Sequence, residues 1–531
     1  MFHRYSARAA AACCLAFMAA TAATAPAAQA ADAKAGGTLV MGSTEIPRHL
    51  DGAVQSGMAT GLVSTQLFAS PLRFDDKWQP QPYLAESWEL TDNARTLTLH
   101  LRKNAFFHDG QPITSADVAF SLMAIKANHP FSTMLAPLEK VETPDPYTAI
   151  LRLSRPHPAI LLAMSPALAP ILPKHIYDDG QDLKTHPRNS KDVVGSGPFK
   201  LVEFTPGQRV VLEKFDKFFL PGRPKLDRVI INYSNDMTTL TLSLDRGDLQ
   251  MLPFISTSSE LRRLQAENKY AITDKGYEGI GALNWLAFNL RQGPLSNVKV
   301  RQAIAYAVDK KFISGVLQAG FSTPANGPIV ASSPYATTDL VTYPLDLKKA
   351  AALLDEAGFP AKDGGVRMKL TVDYIPGSVD QQKNVAEYLR SQLKKIGIAV
   401  EVRASADFPS WAKRIAAGDF DMTMDTVYNW GDPVIGVART YLSTNIKPII
   451  WTNTQAYANP KVDELLNAAA VETDIAKRKQ LYAEFQKIVT GDLPILFLSN
   501  VPYRTVTSKR VQNVPTSIWG PLSPLDEVTV Q

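Results

Sequence analysis

Leu389-Arg390-Ser391-Gln392-Leu393-Lys394-Lys395-Ile396-Gly397-Ile398-Ala399-Val400-Glu401-Val402 reads as a helix that stops and turns at once into a strand. Leu389, Leu393 and Ile396 fall on one helical face. Gly397 supplies the left-handed backbone that ends a helix, and Ile398 to Val402 follows as an apolar strand. A second unit starts at Asp346, which caps a helix running through Leu354 to a stop at Gly358. Helix–glycine–strand units of this kind are the signature of an α/β fold. Asp245-Arg246-Gly247-Asp248-Leu249-Gln250-Met251 and Ala416-Ala417-Gly418-Asp419-Phe420-Asp421-Met422 echo one another as helix end, glycine stop, Asp and emerging strand. The echo predicts two lobes of similar build.

Outward from these units, strands and helices continue to alternate. Thr38-Leu39-Val40-Met41 is a short buried strand, and Leu97, Leu99 and Leu101 alternate with polar neighbours as a half-buried one. Thr114-Ser115-Ala116-Asp117 reads as a capping box, with Val118, Leu122 and Ile125 forming the apolar face behind it. Residues 148–153, 209–212 and 228–233 carry further strand patterns, and 155–187 is Pro-rich and irregular. Gly195-Ser196-Gly197-Pro198 punctuates the chain. Val300, Ile304, Val308 and Phe312 have helical spacing.

The 531 residues are 45% hydrophobic, 20% charged and 9% aromatic, which is globular composition with material for two or more domains. Arg4 and Arg8, an Ala-rich apolar run and Ala28-Gln29-Ala30 read as a secretory signal peptide over residues 1–30, cut after Ala30. Removing it takes away two cations from a net charge of +5 and leaves +3, with no block of like charge that would mark a nucleic-acid or anionic-membrane partner. Cys13 and Cys14 both leave with it, so the mature chain has neither disulfide nor thiol chemistry. Its seven histidines form no metal-binding motif, and no nucleophile elbow, Walker loop or dinucleotide fingerprint occurs. No catalytic residue, metal or cofactor is assigned.

The most specific stretch runs from Leu67-Phe68-Ala69-Ser70-Pro71-Leu72 through Pro82-Tyr83-Leu84-Ala85-Glu86-Ser87-Trp88. It continues with Leu99-His100-Leu101-Arg102, Phe106-Phe107-His108-Asp109-Gly110-Gln111-Pro112 and Ser115-Ala116-Asp117-Val118. This succession resembles the block of the family 5 extracytoplasmic solute-binding proteins, the dipeptide-, oligopeptide- and nickel-binding receptors of ABC importers. Val194-Gly195-Ser196-Gly197-Pro198-Phe199, Phe288-Asn289-Leu290 and residues 298–309 and 389–402 extend the likeness over about residues 37–520. In its own physical terms His108-Asp109-Gly110 is a tight turn.

The resemblance implies an α/β, two-lobed periplasmic binding protein clamshell of type II with an extra domain inserted in the first lobe. Lobe I is placed at 31–72, 192–290 and 498–531, the inserted domain at 73–191 and lobe II at 291–497. The implied function is a periplasmic, monomeric substrate-binding subunit that captures peptides or peptide-like solutes by hinge closure. It delivers them to ABC permease and ATPase subunits at the inner membrane. Nickel chelates, haem, opines and small glycans are alternative ligands. An exported hydrolase or a chaperone-like module is the reading from outside the class.

In peptide-binding relatives an Asp directly before Pro receives the ligand's α-ammonium. The resemblance carries that role to Asp432 in Tyr428-Asn429-Trp430-Gly431-Asp432-Pro433, with Tyr428 and Trp430 as aromatic walls. The physical alternative is a turn with an Asx cap. Arg439, Trp285 and Thr44 are further ligand-binding candidates. Arg439 faces either the cleft or solvent, Trp285 lies on a strand near the lobe crossing and also suits the core, and Thr44 follows the first strand. Its neighbour Glu45 reads as a contact or a solvated acid. The stretch Asp373-Tyr374-Ile375-Pro376-Gly377-Ser378-Val379-Asp380 lacks the Arg with which dipeptide-binding relatives hold a carboxylate. Longer or modified peptides and opine-like conjugates therefore stay open.

Overall fold

Strand Thr38–Ser43 lies between Met251–Ile255 and Arg228–Tyr233, parallel to both. It is the axis of a seven-stranded sheet completed by Tyr270–Thr273 and Arg504–Ser508 on one side and by Arg209–Lys214 and Phe199–Thr205 on the other. The computed structural model describes residues 36–362, 364–376 and 379–531. The signal-peptide reading falls on residues outside this range.

A second sheet orders Ile398–Arg403, Met368–Tyr374, Met422–Tyr428, Ala282–Phe288 and Ile495–Asn500. Its first three strands run parallel, Ala282–Phe288 runs antiparallel to them, and Ile495–Asn500 pairs antiparallel with Ala282–Phe288. Both faces are covered, as parallel strands require. Val300, Ile304, Leu389 and Leu393 pack on one side, and Tyr482, Phe485 and Val489 on the other. The two glycine–aspartate echoes occupy equivalent joints. Gly247 (φ 81°) follows helix Met237–Asp245 and precedes Met251–Ile255, and Gly418 (φ 74°) follows helix Phe408–Ala416 and precedes Met422–Tyr428. Each lobe thus sets such a strand inside its sheet.

Residues 73–191 contain a four-stranded sheet in the order Ala85–Thr91, Thr96–Leu101, Thr148–Leu153, Leu138–Asp145. The Thr114–Asp117 capping box opens helix Ser115–Asn128, with the Thr114 N–H donating to the Asp117 carboxylate at 2.8 Å. This segment has no core of its own. Leu97, Leu99 and Leu151 belong to one continuous apolar cluster with Leu39, Met41, Val229 and Ile231 of the first sheet. His108 joins the two. Its Nδ1 accepts from the Gly195 N–H at 3.0 Å and its Nε2 meets the Gly197 carbonyl at 3.1 Å, which requires the neutral ring with Nε2–H donating. Burial holds its pKa down at about 4, against a favourable contribution from that carbonyl.

Two boundaries drawn from the sequence need correction. Ala282–Phe288, assigned to lobe I, pairs inside the second sheet, so the chain crosses between Thr273 and Ala282. The strand is buried at every residue, and burial alone does not tell which sheet a strand joins. The return boundary at 497/498 cuts strand Ile495–Asn500, which belongs whole to the second sheet. The helix expected through Phe312 also ends early. Val298–Ala307 stops where Val308 becomes extended, and Asp309 caps a separate turn by accepting from the Lys311 and Phe312 N–H groups.

Candidate functional site

Between the two lobes lies a cavity of about 610 Å³. The first lobe contributes Thr44 and Glu45 behind strand Thr38–Ser43, Asp236 and Met237 at a helix start, Phe254 and Tyr503. The second contributes Ile375, Gln381, Gln382, Phe408, Thr426, Tyr428 and Trp451. Five of these are aromatic. Tyr428 and Tyr503 approach hydroxyl to hydroxyl at 3.3 Å across the lobes, and Phe408 and Trp451 lie 5.8 Å apart. Gln381 bonds across as well: its Nε2 donates to the Ser256 carbonyl at 3.1 Å, while its Oε1 accepts from Asn284 and Gln318 at 2.8 Å each.

The wall holds acids and, among its described residues, no Lys, Arg or His. Asp236 is committed as a helix cap, accepting from the N–H groups of Thr238 and Thr239 at 3.0 and 3.2 Å. Glu45 is half-buried, and desolvation raises its carboxyl to about 7. Burial likewise raises the Tyr428 and Tyr503 hydroxyls above the usual phenol range.

Of the residues singled out in the sequence, Thr44, Tyr428 and Glu45, the neighbour of Thr44, meet in this cavity. Asp432 does not line it. Its carboxylate is buried and takes a two-pronged ion pair from Arg478 at 2.8 and 2.9 Å. It also accepts from the Val434 N–H at 2.9 Å, the Asx cap that the Gly-Asp-Pro pattern allowed. Burial opposes the Arg478 charge, but Asp432 outweighs it and holds the guanidinium above its ordinary range. Trp430 turns away at φ 48° and packs 5.4 Å from Phe131 and 6.2 Å from Trp519, both outside the second lobe. The loop is fixed from below: the N–H groups of Asn429 and Trp430 donate to the carbonyls of Gly281 and Ile280 at 3.0 and 3.2 Å.

Arg439 lies over the Phe131 ring at 4.8 Å, and burial lowers it to about 10 against the pull of Asp425. Asp425 itself is raised to about 7 by burial, which Trp451 and Arg439 reduce. Trp285 is core, opposite Asp425 and Phe497 in the second sheet. The stretch without the expected Arg begins at Asp373, which is fully buried and paired with Arg403 at 2.6 Å and Arg414 at 2.7 Å. Phe254, Gln381, Gln382, Phe408, Trp451 and Tyr503 escaped the sequence reading. They are scattered over some 250 positions and share no spacing that periodicity detects. Among the described residues no three His, Cys, Asp or Glu side chains are grouped to hold a metal ion, and no helix is long and apolar enough to cross a membrane.

The family model of bacterial extracellular solute-binding proteins, family 5 Middle, matches residues 79–448. Heme-binding protein A of Haemophilus influenzae is 29% identical over 465 residues, covering 83% of this chain and 82% of the relative. The glutathione-binding protein GsiB of Pectobacterium atrosepticum is 27% identical over 463 residues, covering 85% and 86%. The crystal structure of NikZ from Campylobacter jejuni in complex with Ni(L-His) superposes with a TM-score of 0.80 at 24% identity, covering 92% of this chain and 97% of that one. That likeness is one of fold.

Proposed function

Because this chain belongs to the bacterial extracellular solute-binding proteins of family 5, we propose that it is the substrate-binding subunit of an ABC importer that captures peptides or peptide-like solutes. The observation that carries this reading is the cavity of about 610 Å³ walled by both lobes. Its size suits a small ligand, and a ligand that touches both lobes favours the closed arrangement by its differential contacts. Aromatic rings offer apolar surface to side chains. Thr44, Asn235, Ser256 and Thr257 offer small polar groups and main chain for a peptide backbone. The relatives named for haem and glutathione widen the range of ligands in the family. No chemical step is assigned to the cavity.

The cycle is capture on one lobe, closure about the crossing segments between Thr273 and Ala282 and between Asn500 and Arg504, and recognition of the closed form by a membrane permease. We place the mature protein in the periplasm, as a monomer, after removal of residues 1–30. Native mass spectrometry of protein purified from an exporting host tests these points together. The expected result is a polypeptide beginning near Ala31 that carries peptide-sized adducts. A single non-peptide adduct or a metal isotope pattern overturns the peptide reading, and an intact Met1 overturns the cleaved signal.

A further inference from the structure

Three of the six buried aspartates among the described residues are neutralised by arginine. Asp432 has Arg478, Asp373 has Arg403 and Arg414, and Asp526 has Arg73 and Arg223. Glu45 has none. Its main-chain N–H donates to Ser43 Oγ at 3.0 Å, but among the described residues nothing donates to its carboxylate. Desolvation alone shifts it, with no compensating charge or hydrogen bond. Two other acids are held near 7, and both lie off the cavity: Asp51 accepts from the Ala53 N–H, and Asp425 faces Arg439. Among the described residues Glu45 is thus the one acid of the cavity wall without a protein partner, set where its charge is felt at the hydroxyls of Tyr428 and Tyr503.

A partly desolvated carboxylate without a partner gains more from a cation that joins it than one in open water. Among the described residues of the wall no cation is available, and aromatic faces nearby attract organic cations in their own right. We infer that Glu45, not Asp432, receives the ligand, pairing with an ammonium or similar organic cation enclosed by the rings of Tyr428 and Tyr503. The same wall offers a free carboxylate only neutral donors. The cavity therefore selects a cationic end and is indifferent to a masked carboxyl end. This rests on the binding role proposed above and narrows its ligand class.

The test uses trialanine, N-acetyl-trialanine and trialanine amide as probes, with spermidine as a non-peptide cation. Each is titrated by calorimetry into the full mature protein. Acetylation is expected to weaken binding about tenfold or more, the loss of one charge-assisted bond, while amidation changes it by less than about threefold. Glu45→Gln is expected to weaken trialanine by a similar factor and to bind the acetylated and free peptides alike. Its melting curve confirms the fold, and Glu45→Asp keeps the preference for the free amine. For trialanine, affinity is expected to rise between pH 5.5 and 7.0 in the native protein and to stay flat in Glu45→Gln. Tyr428 and Tyr503 stay neutral through that window, and the other wall acid, Asp236, is already ionised and capped. Equal binding of free and acetylated peptide, or unchanged affinity in Glu45→Gln, overturns the inference and leaves the peptide-receptor reading intact. Spermidine binding that needs Glu45, with no binding of any peptide, overturns the peptide reading and supports the inference. No binding of peptides or spermidine overturns both.

Discussion

Asp432 and Arg478 lock the loop after strand Met422–Tyr428 to the long helix Ile475–Asp492 through two parallel hydrogen bonds of 2.8 and 2.9 Å. The pair is almost free of solvent, and Arg478 also donates to the Tyr482 hydroxyl at 3.3 Å and lies over the Tyr335 ring. Removing one partner strands the other charge. Arg478→Met is expected to destabilise the protein by about 3–5 kcal/mol, and Arg478→Met with Asp432→Asn to recover most of that loss. Urea unfolding of the two variants checks it. A double variant no more stable than the single one rules out a stranded charge as the cause.

Asp51 gives stability an opposite dependence on pH from a salt-bridged acid. It is fully buried, one oxygen accepts from Ala53 and the other has no partner among the described residues, so burial raises its carboxyl to about 7. The folded state therefore holds a proton that the unfolded chain releases near the ordinary aspartate value of 3.8. Its contribution is full at low pH and declines as pH rises from about 4 to 7. Asp51→Asn is expected to remove that decline and to stabilise the protein at pH 7.5 by about 2–4 kcal/mol relative to the parent. Melting temperatures of both proteins across pH 4.5–7.5 are the measurement, and parallel curves refute the assignment.

Trp430 is 3% exposed and carries the second lobe's loop into the cluster formed by Phe131 and Trp519. Trp430→Ala opens a cavity there and is expected to cost about 3–5 kcal/mol. The same variant breaks one contact between the lobes, so small-angle scattering of the ligand-free protein is expected to show a larger radius of gyration. An unchanged radius limits Trp430 to a packing role.

Gly195 and Gly197 admit no side chain. A Cβ at Gly195 sits 1.9 Å from the Leu67 carbonyl oxygen and one at Gly197 sits 2.3 Å from that of Gln66. The main chain has no room to retreat, because the Gly197 N–H donates to the Leu67 carbonyl at 2.8 Å and His108 grips both glycines. Gly195→Ala is expected to cost about 3 kcal/mol or more. Gly315→Ala, where the added methyl meets open space, is the control and is expected to stay within about 0.5 kcal/mol of the parent. Equal stability of the two variants contradicts the close approach.

Local grammar was the legible part. The Thr114–Asp117 box, the stop at Gly397 and the twin Gly–Asp joints each lie within a few residues, so periodicity and capping chemistry expose them. The motif around Asp432 was legible as a loop but ambiguous in role. Its partner Arg478 is 46 residues away on another helix, and nothing in the chain near Asp432 announces it. Glu45 was visible beside Thr44, yet its significance comes from an absence of cations in a wall built from distant segments. Trp285 suited both cleft and core until its neighbours Asp425 and Phe497 placed it in the core.

Strand Arg504–Ser508 has a consequence for how the chain comes together. It separates Met251–Ile255 from Tyr270–Thr273 in the first sheet, and neither of those strands pairs with the other without it. A chain emerging N-terminus first thus carries a sheet with a gap until residues 504–508 arrive. Completing it requires closure over some 230 residues, a slow step by the entropy of long loops. The first sheet is thus sealed by a strand that is made after every other strand of the two large sheets.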